Sequence, residues 1–510
     1  MKNVISGTAY ASYALKFPDR VKVIGVAEPV QIRYEDTLRL RESFTKVSEI
    51  LVGCLDVFMY NIPEENDVTD WKEFASRSKF ADAVVITTLD QFHVEPAIAF
   101  ANLKYHILLE KPMAVKLDEC KRIIEAVKVN EILFGIGMSI GCCYGSFPQS
   151  HVLRYNPLNL RIKSILDSGK LGNVINIQHL EPVGWWHFAH SVGITTIAFA
   201  FQFVRGNWKD ENTSSFSLMT KKVSSFGSLH HFNKANKPKE AGNAINCLSC
   251  PHAAQCPYDA KKIYIDDFKN GNRGWPINVV TNVLGESGGE TCCHFLFYFY
   301  FRVRVVNCWV STILRNFSFL FLLYSLVDIE NLTDALKIGP YGQCVYESDN
   351  NVMDNQVNAE NLYIMMPVVN LQFANGATAS FTMIATTEAQ CARKTRIYGS
   401  LGQLDCDHET NEISWFDFLS KNRTVIHPYN EAIQNGEDFH LSGHGGGDSG
   451  LMGTFVNTVA AAKSGAPISG SIMRLPTPTE TLMSHAYVFA AEEARQKNKV
   501  VDVKEFLAQP

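Results

Sequence analysis

Glu110, Lys111 and Pro112 follow the apolar run Tyr105 to Leu109, which reads as a buried strand, and precede a helix pattern. An amine and a carboxylate at the carboxyl end of such a strand occupy the place where open α/β sheets bind ligands. Burial lowers the pKa of an amine. An ammonium held there can then donate to an alkoxide or carbonyl oxygen, or relay a proton near neutral pH. Lys111 is therefore the candidate catalytic group. The alternative is an ordinary surface lysine.

Three further sets of residues carry chemistry. Cys247-x-x-Cys250, with Cys256 six residues on, has the spacing with which thiolates grip a tetrahedral Zn²⁺. His252 is the nearest candidate for a fourth ligand, and plain loop cysteines are the competing reading. In Trp185-Trp186-His187-Phe188-Ala189-His190, ring faces suit C–H groups and the His187 and His190 nitrogens suit hydroxyls, as in a polyol pocket. A sheet-edge aromatic cluster explains the same block. Arg154 and Tyr155 lie just past the expected join between two domains and are further candidates for touching substrate.

The elements that position these residues alternate. Val21–Val26, Ala83–Thr87, Tyr105–Leu109 and Ile132–Ile136 read as strands. Between them lie a helix at Glu95–Asn102 and another opening at Leu117-Asp118, with Asp118 as N-cap and Cys120, Ile123, Ile124 and Val127 at helical spacing. This alternation predicts a parallel, helix-covered sheet. The second half differs. A helix at Ile162–Ser168 leads to strands at Gly172–His179, Val368–Phe373, Ala377–Ile384, Thr395–Tyr398 and Ile413–Phe416, with Asn375-Gly376 as a turn. Helices near Gly450–Lys463 and Glu480–Lys497 follow, and Asp448 reads as the cap of the first.

The chain has 510 residues, 46% hydrophobic and 19% charged, enough for two globular domains with real cores. A net charge of -5 without a basic stripe argues against nucleic acid as a partner. Thirteen scattered cysteines and no signal-peptide pattern point to a reducing, cytoplasmic setting.

The blocks Val26-Ala27-Glu28-Pro29, Asp82 to Thr88 with His93, Glu110-Lys111-Pro112, Ile165 to Gly172 and Gly445-Gly446-Gly447-Asp448 together resemble the Gfo/Idh/MocA family of NAD(P)-dependent oxidoreductases. The resemblance implies a Rossmann domain (1–138), then an α+β domain (151–510) with a large open, mainly antiparallel sheet. It implies hydride transfer between NAD or NADP and a hydroxyl-bearing carbon of a sugar or cyclitol, with Lys111 catalytic. It also implies that Gly7, Glu28, Thr88, His93, Glu110 and Lys111 meet the cofactor. Glu28 lies about 20 residues past Gly7, the spacing of a carboxylate on the ribose hydroxyls, which favours NAD. The partner is a small polyol or sugar, with no membrane span, and pairing through the open sheet face gives a homo-oligomer.

The sequence departs from this pattern in three places. Of the glycine loop that cradles a pyrophosphate only Gly7 is present, and the first strand of the sheet is truncated. Loss of about five buried apolar residues removes on the order of 10 kcal/mol. The segment Ser214–Lys221 resembles one that leads into a helix bearing a His and an Asp, but Lys222-Val223-Ser224-Ser225-Phe226 follows at once. Ser139–Ser150, Val192–Gln202 and 284–326 read as insertions, the last apolar but broken by Arg302, Arg304 and Arg315 and of non-native character. The alternative function is therefore a catalytically inactive relative acting as a binding or scaffold protein, or a faulty gene model.

Overall fold

The computed structural model describes residues 4–27, 60, 62–88, 90–137, 154–191, 220–227, 231–272, 276–277, 280, 329–347, 368–384, 386–390, 392–434, 446–466 and 475–509. The three expected insertions, Glu28 and Gly445 lie outside these residues, as do the side chains at 4–9, 188, 190 and 191.

Helix α1 (Val4–Lys16) carries Gly7 in its first turn. Strands β1 (Val26–Ala27) and β2 (Asp67–Val68) pair in parallel. The strand expected at Val21–Val26 is thus reduced to its last residue and Ala27. Val21, Val23 and Val26 instead lean on Ala14, Tyr60 and Ile62, so burial holds this stretch where a ladder does not. Helix α2 (Trp71–Ala75) starts at Asp70, whose carboxylate accepts from the Lys72 N–H at 2.9 Å.

Then come β3 (Ala83–Ile86), α3 (Val94–Asn102), β4 (His106–Leu109), α4 (Leu117–Val129) and β5 (Phe134–Ile136). The last three strands form a parallel sheet in the order β3-β4-β5, separate from β1-β2 among the described residues. Ile107, Leu108 and Leu109 are fully buried, as a parallel strand covered on both faces requires. Lys116, not Asp118, is the N-cap of α4, and Asp118 and Glu119 occupy its first turn, where the helix dipole favours carboxylates.

Helix α5 (Pro157–Asp167) begins five residues before the expected Ile162, because Asn156 caps it by accepting from the Leu158 N–H at 2.9 Å and Pro157 suits its first position. After it come β6 (Val174–Pro182), α6 (Trp185–Ser191), β7 (Thr220–Phe226) and α7 (Ile329–Ile338). The remaining strands are β8 (Val368–Phe373), β9 (Thr378–Ile384), β10 (Lys394–Gly399), β11 (Gly402–Asp407), β12 (Glu412–Asp417) and β13 (Arg423–Ile426). The chain continues with α8 (Pro428–Gln434), α9 (Gly447–Ser464), α10 (Pro478–Gln496), β14 (Val501–Asp502) and α11 (Val503–Leu507).

The large sheet has the order β13-β12-β11-β10-β6-β9-β8-β7-β14. Only β6-β9 is parallel, and the other pairs are antiparallel. Asn375-Gly376 does turn β8 into β9, with Gly376 at φ +88°.

Helix α10 joins the two halves. Its Leu482 and Phe489 pack on the core of the parallel unit, while Tyr487, Val488 and Ala491 belong to the core under the large sheet. Thr477 and Glu480 close its amino terminus as a reciprocal capping box.

Candidate functional site

The pairing of β3 with β4 continues one residue past Leu109, since the Glu110 N–H donates to the Ile86 carbonyl at 2.8 Å. Beyond it the Lys111–Pro112 peptide is cis, and the chain turns sharply at the sheet's carboxyl edge. Two histidines hold this turn. The His93 ring is fully buried between the Pro112 carbonyl (Nδ1, 2.8 Å) and the Thr88 carbonyl (Nε2, 3.0 Å). It therefore links the loop after β3 to the loop after β4. Only an imidazolium donates from both nitrogens, and burial opposes that form by lowering the ring's pKa.

From the far side, the Met113 N–H donates to His485 Nε2 at 2.9 Å, and His485 Nδ1 lies 3.0 Å from the Thr481 carbonyl. The accepting Nε2 places the proton on Nδ1. Helix α10 of the second half thus fixes the turn that carries Lys111.

Glu110 is 4% exposed. Its Oε1 accepts from the Tyr10 hydroxyl at 2.9 Å and its Oε2 from the Lys111 N–H at 2.9 Å. Burial pushes its pKa up to about 8, against the pull of the Lys111 charge and these hydrogen bonds, with the Asp448 carboxylate adding to the rise. Burial likewise draws the Lys111 amine below the ordinary lysine range, opposed by Glu110 and Asp90. Near neutral pH the site holds a protonated Glu110 beside an amine that gives up its proton more readily than an exposed lysine. A charged Glu110 would bind the ammonium form; a neutral one does not.

Tyr10 reaches Glu110 from α1 only because residue 137 is glycine: a Cβ there would stand 2.6 Å from the Tyr10 hydroxyl oxygen. Asp448, expected as the cap of α9, lies in its first turn instead, behind Gly446 at φ +86°. Its carboxylate acts electrostatically on Glu110.

The other expected residues are distributed more widely. Thr88 follows β3, and its hydroxyl oxygen is buried with no hydrogen-bond partner among the described residues. Gly7 lies on α1, and Glu28 falls outside the described residues. Tyr155 is fully buried in a cluster with Tyr10, Tyr13, Leu451 and Phe455, and Arg154 is 7% exposed.

His187 is on α6, half-buried, with its pKa lowered to about 4 by burial and by the Arg393 charge. That charge belongs to a buried network in which Arg393 Nε is 2.5 Å from Glu181 Oε2, and His179 Nδ1 is 2.8 Å from Thr395 Oγ1. The His190 side chain lies outside the described residues. Lys221 and Lys222 lie within β7, so the expected direct passage into a strand is what the structure has at this point.

Tyr10, Asp90, Asp448 and His485 were not signalled as site residues. Asp90 could have been found from its place between Thr88 and His93. Tyr10 and His485 lie on helices remote from Lys111 in sequence and carried no local motif, while Asp448 stood in the Gly445-Gly446-Gly447-Asp448 block and was read only as a helix cap.

Residues 7–138 match the family described as "Oxidoreductase family, NAD-binding Rossmann fold". Inositol 2-dehydrogenase of Salmonella paratyphi B is 28% identical over 136 residues, 26% of this chain and 35% of that enzyme. The matched part thus spans about a third of that relative's length. YteT of Bacillus subtilis, described as an oxidoreductase, is 24% identical over 433 residues, 81% of this chain and 83% of YteT. Among solved structures, levoglucosan dehydrogenase in complex with NADH and levoglucosan is alike in fold, with a TM-score of 0.51 at 15% identity over 98% of this chain and 96% of that one. No helix among the described residues is long and apolar enough to cross a membrane. A Rossmann-type unit thus leads into a large mixed sheet with Glu110-Lys111-Pro112 at the edge between them, and residues 7–138 match the NAD-binding domain of the Gfo/Idh/MocA oxidoreductases.

Proposed function

We propose that this chain is an NAD(P)-dependent dehydrogenase of a sugar or cyclitol, with Lys111 as its proton relay. The observation that carries the reading is the recessed Lys111 amine at the carboxyl edge of β4, beside a Glu110 whose pKa is pushed up to about 8. The names of the inositol and levoglucosan dehydrogenases to which the chain is similar support the substrate class.

The residues at the sheet edge fit a dinucleotide. The buried, unpartnered Thr88 hydroxyl offers a hydrogen bond at the end of β3, and the neutral Glu110 presents no repelling charge. Thr88 would hold the cofactor here, with Gly7 and Glu28 at its pyrophosphate and ribose. When bound, the nicotinamide supplies the hydride acceptor. Lys111, as the free amine, takes the hydroxyl proton while the carbinol C–H bond breaks with its electron pair and the C=O bond forms. In the reverse direction the ammonium returns that proton to the carbonyl oxygen. Burial sets how readily Lys111 gives up its proton, opposed by the charges of Glu110 and Asp90.

A second reading, a relative that binds ligand without turnover, is favoured by the uninterrupted β7 at Lys221-Lys222, where a His and an Asp were expected to be introduced. Titration of NADH and NADPH by fluorescence, followed by turnover on a panel of sugars and cyclitols, separates the two. Saturable binding with turnover that Lys111→Ala abolishes, binding being spared, is the expected result. Binding without turnover on any panel member supports the second reading. Absence of a saturable signal up to about millimolar cofactor, an affinity near 4 kcal/mol, removes both cofactor readings.

A further inference from the structure

We propose that Cys247, Cys250, Cys256 and Cys344 form a four-thiolate site for one structural Zn²⁺, remote from the Lys111 chemistry. The sequence supplies three thiols and leaves the fourth ligand open. The fold supplies it. Asn246 and Gln343 form an antiparallel bridge, and the Cys344 N–H donates to the Ile245 carbonyl at 2.9 Å. This lays Cys344 beside the Cys247 turn, and the Cys247 thiol already lies 3.8 Å from the Gln343 carbonyl. Cys247, Cys250, Cys256 and Cys344 line one cavity, and each is a free thiol.

The backbone is built for such a site. Cys247–Ser249 and Ala253–Gln255 are single 3₁₀ turns, each followed directly by a cysteine. The Cys250 N–H donates to the Cys247 carbonyl at 3.3 Å, closing the first turn and bringing two thiols to one side. The second turn closes as the Cys256 N–H donates to the His252 carbonyl at 3.2 Å. Residues 233–256 consist of such turns and one bridge, without a strand ladder or a full helix. A metal held here ties three points of this stretch to Cys344 and cross-links segments that share no strand ladder.

A tetrathiolate carries two negative charges in excess of the metal. Lys262 Nζ donates to the Ala254 carbonyl at 2.7 Å and to the Cys256 carbonyl at 3.0 Å, which brings a cation to the loop that needs it. As the side chains stand, no three His, Cys, Asp or Glu among the described residues lie close enough together to hold a metal. Binding turns the thiols inward and releases their protons, one Zn²⁺ and four S–H groups giving Zn(S)₄²⁻ and four H⁺.

The test uses the full chain, purified in reductant without a chelating tag. Elemental analysis is expected to find one zinc per chain. Exchange with Co²⁺ is expected to give the thiolate-to-cobalt charge-transfer and visible bands of a tetrahedral sulfur site. Cys344→Ser is expected to lower zinc affinity at least about 100-fold in competition with a chelating dye, more than loss of an outer-shell partner costs. Cys120→Ser and Cys406→Ser, at buried thiols elsewhere, are expected to retain it. If Cys344→Ser does not fold, alkylation of the native chain decides: the four thiols are blocked before chelation and react after it. Less than about a tenth of a zinc equivalent with no Co²⁺ bands, an iron–sulfide chromophore, or equal alkylation with and without chelator would each overturn the proposal.

Discussion

Replacing Glu110 by glutamine tests the electrostatics on which the site depends. The folded chain holds the Glu110 proton up to about pH 8, whereas an exposed glutamate releases it near 4.5. Between those values the native state binds one proton more than the unfolded state, so this group's contribution to stability is complete below the unfolded pKa and is lost as pH rises through the folded one. A window of about 3.5 units at about 1.4 kcal/mol each bounds the effect at about 5 kcal/mol. Between pH 5.5 and 7.5, two units of that window, the bound is about 3 kcal/mol, and about 2 kcal/mol is the working figure.

Lys111 works in the other sense. Its folded pKa is lowered, so its burial costs stability at low pH and the cost fades as pH rises toward the ordinary lysine value. In Glu110→Gln the amide oxygen still accepts from Tyr10, but its NH₂ cannot accept from the Lys111 N–H, a loss of about 1 kcal/mol that does not vary with pH. Urea unfolding followed by tryptophan fluorescence at pH 5.5, 6.5 and 7.5 therefore gives a wild type whose stability falls with pH by about 2 kcal/mol more than the variant's. Parallel curves for the two proteins would refute the protonated Glu110.

Two further substitutions probe what holds the site in place. His485→Ala strips the buried Met113 N–H of its acceptor and is expected to cost about 1–3 kcal/mol; thermal denaturation reads the loss, and kcat is expected to fall more than KM rises, because the Lys111 turn is displaced while α1 and β3 are not. Arg393→Met breaks the buried ion pair with Glu181, an expected loss of about 3–5 kcal/mol by denaturant titration, most of it regained in the Glu181→Gln, Arg393→Met double variant.

The legible parts of the molecule were those whose information is local. β8 was read to the residue because its alternation faces one buried side, and the helix from Leu117 was found from periodic apolar positions. Boundaries slipped where a cap outweighed periodicity, as at Asn156. The strand at Val21–Val26 shrank because a strand needs a partner as well as a pattern. Strands β11 and β13 escaped notice since Asp405 and Arg423 interrupt their apolar rhythm with charges that pair across the sheet, 3.9 Å apart. Lys111 was found by motif. Tyr10, Asp448, His485 and Cys344 were not, because each acts at a distance in sequence that only the fold closes.

The placement of the Lys111 turn is over-determined, and that separates the two functional readings in physical terms. Ladder pairing at Glu110, the His93 ring between two loops and the His485 ring from α10 each hold it independently. None of the three involves the glycine loop or the segment before β7, where the sequence departs from the pattern it resembles. The amine is therefore kept in position whether or not a dinucleotide binds, and weak cofactor binding would appear as a raised Kd rather than a displaced lysine. A dehydrogenase impaired only in cofactor affinity recovers turnover at high NAD(P), whereas a chain that lacks a second proton-handling group remains slow at saturation. The ratio of these two deficits, read from one titration of rate against cofactor, assigns the departure to binding or to chemistry.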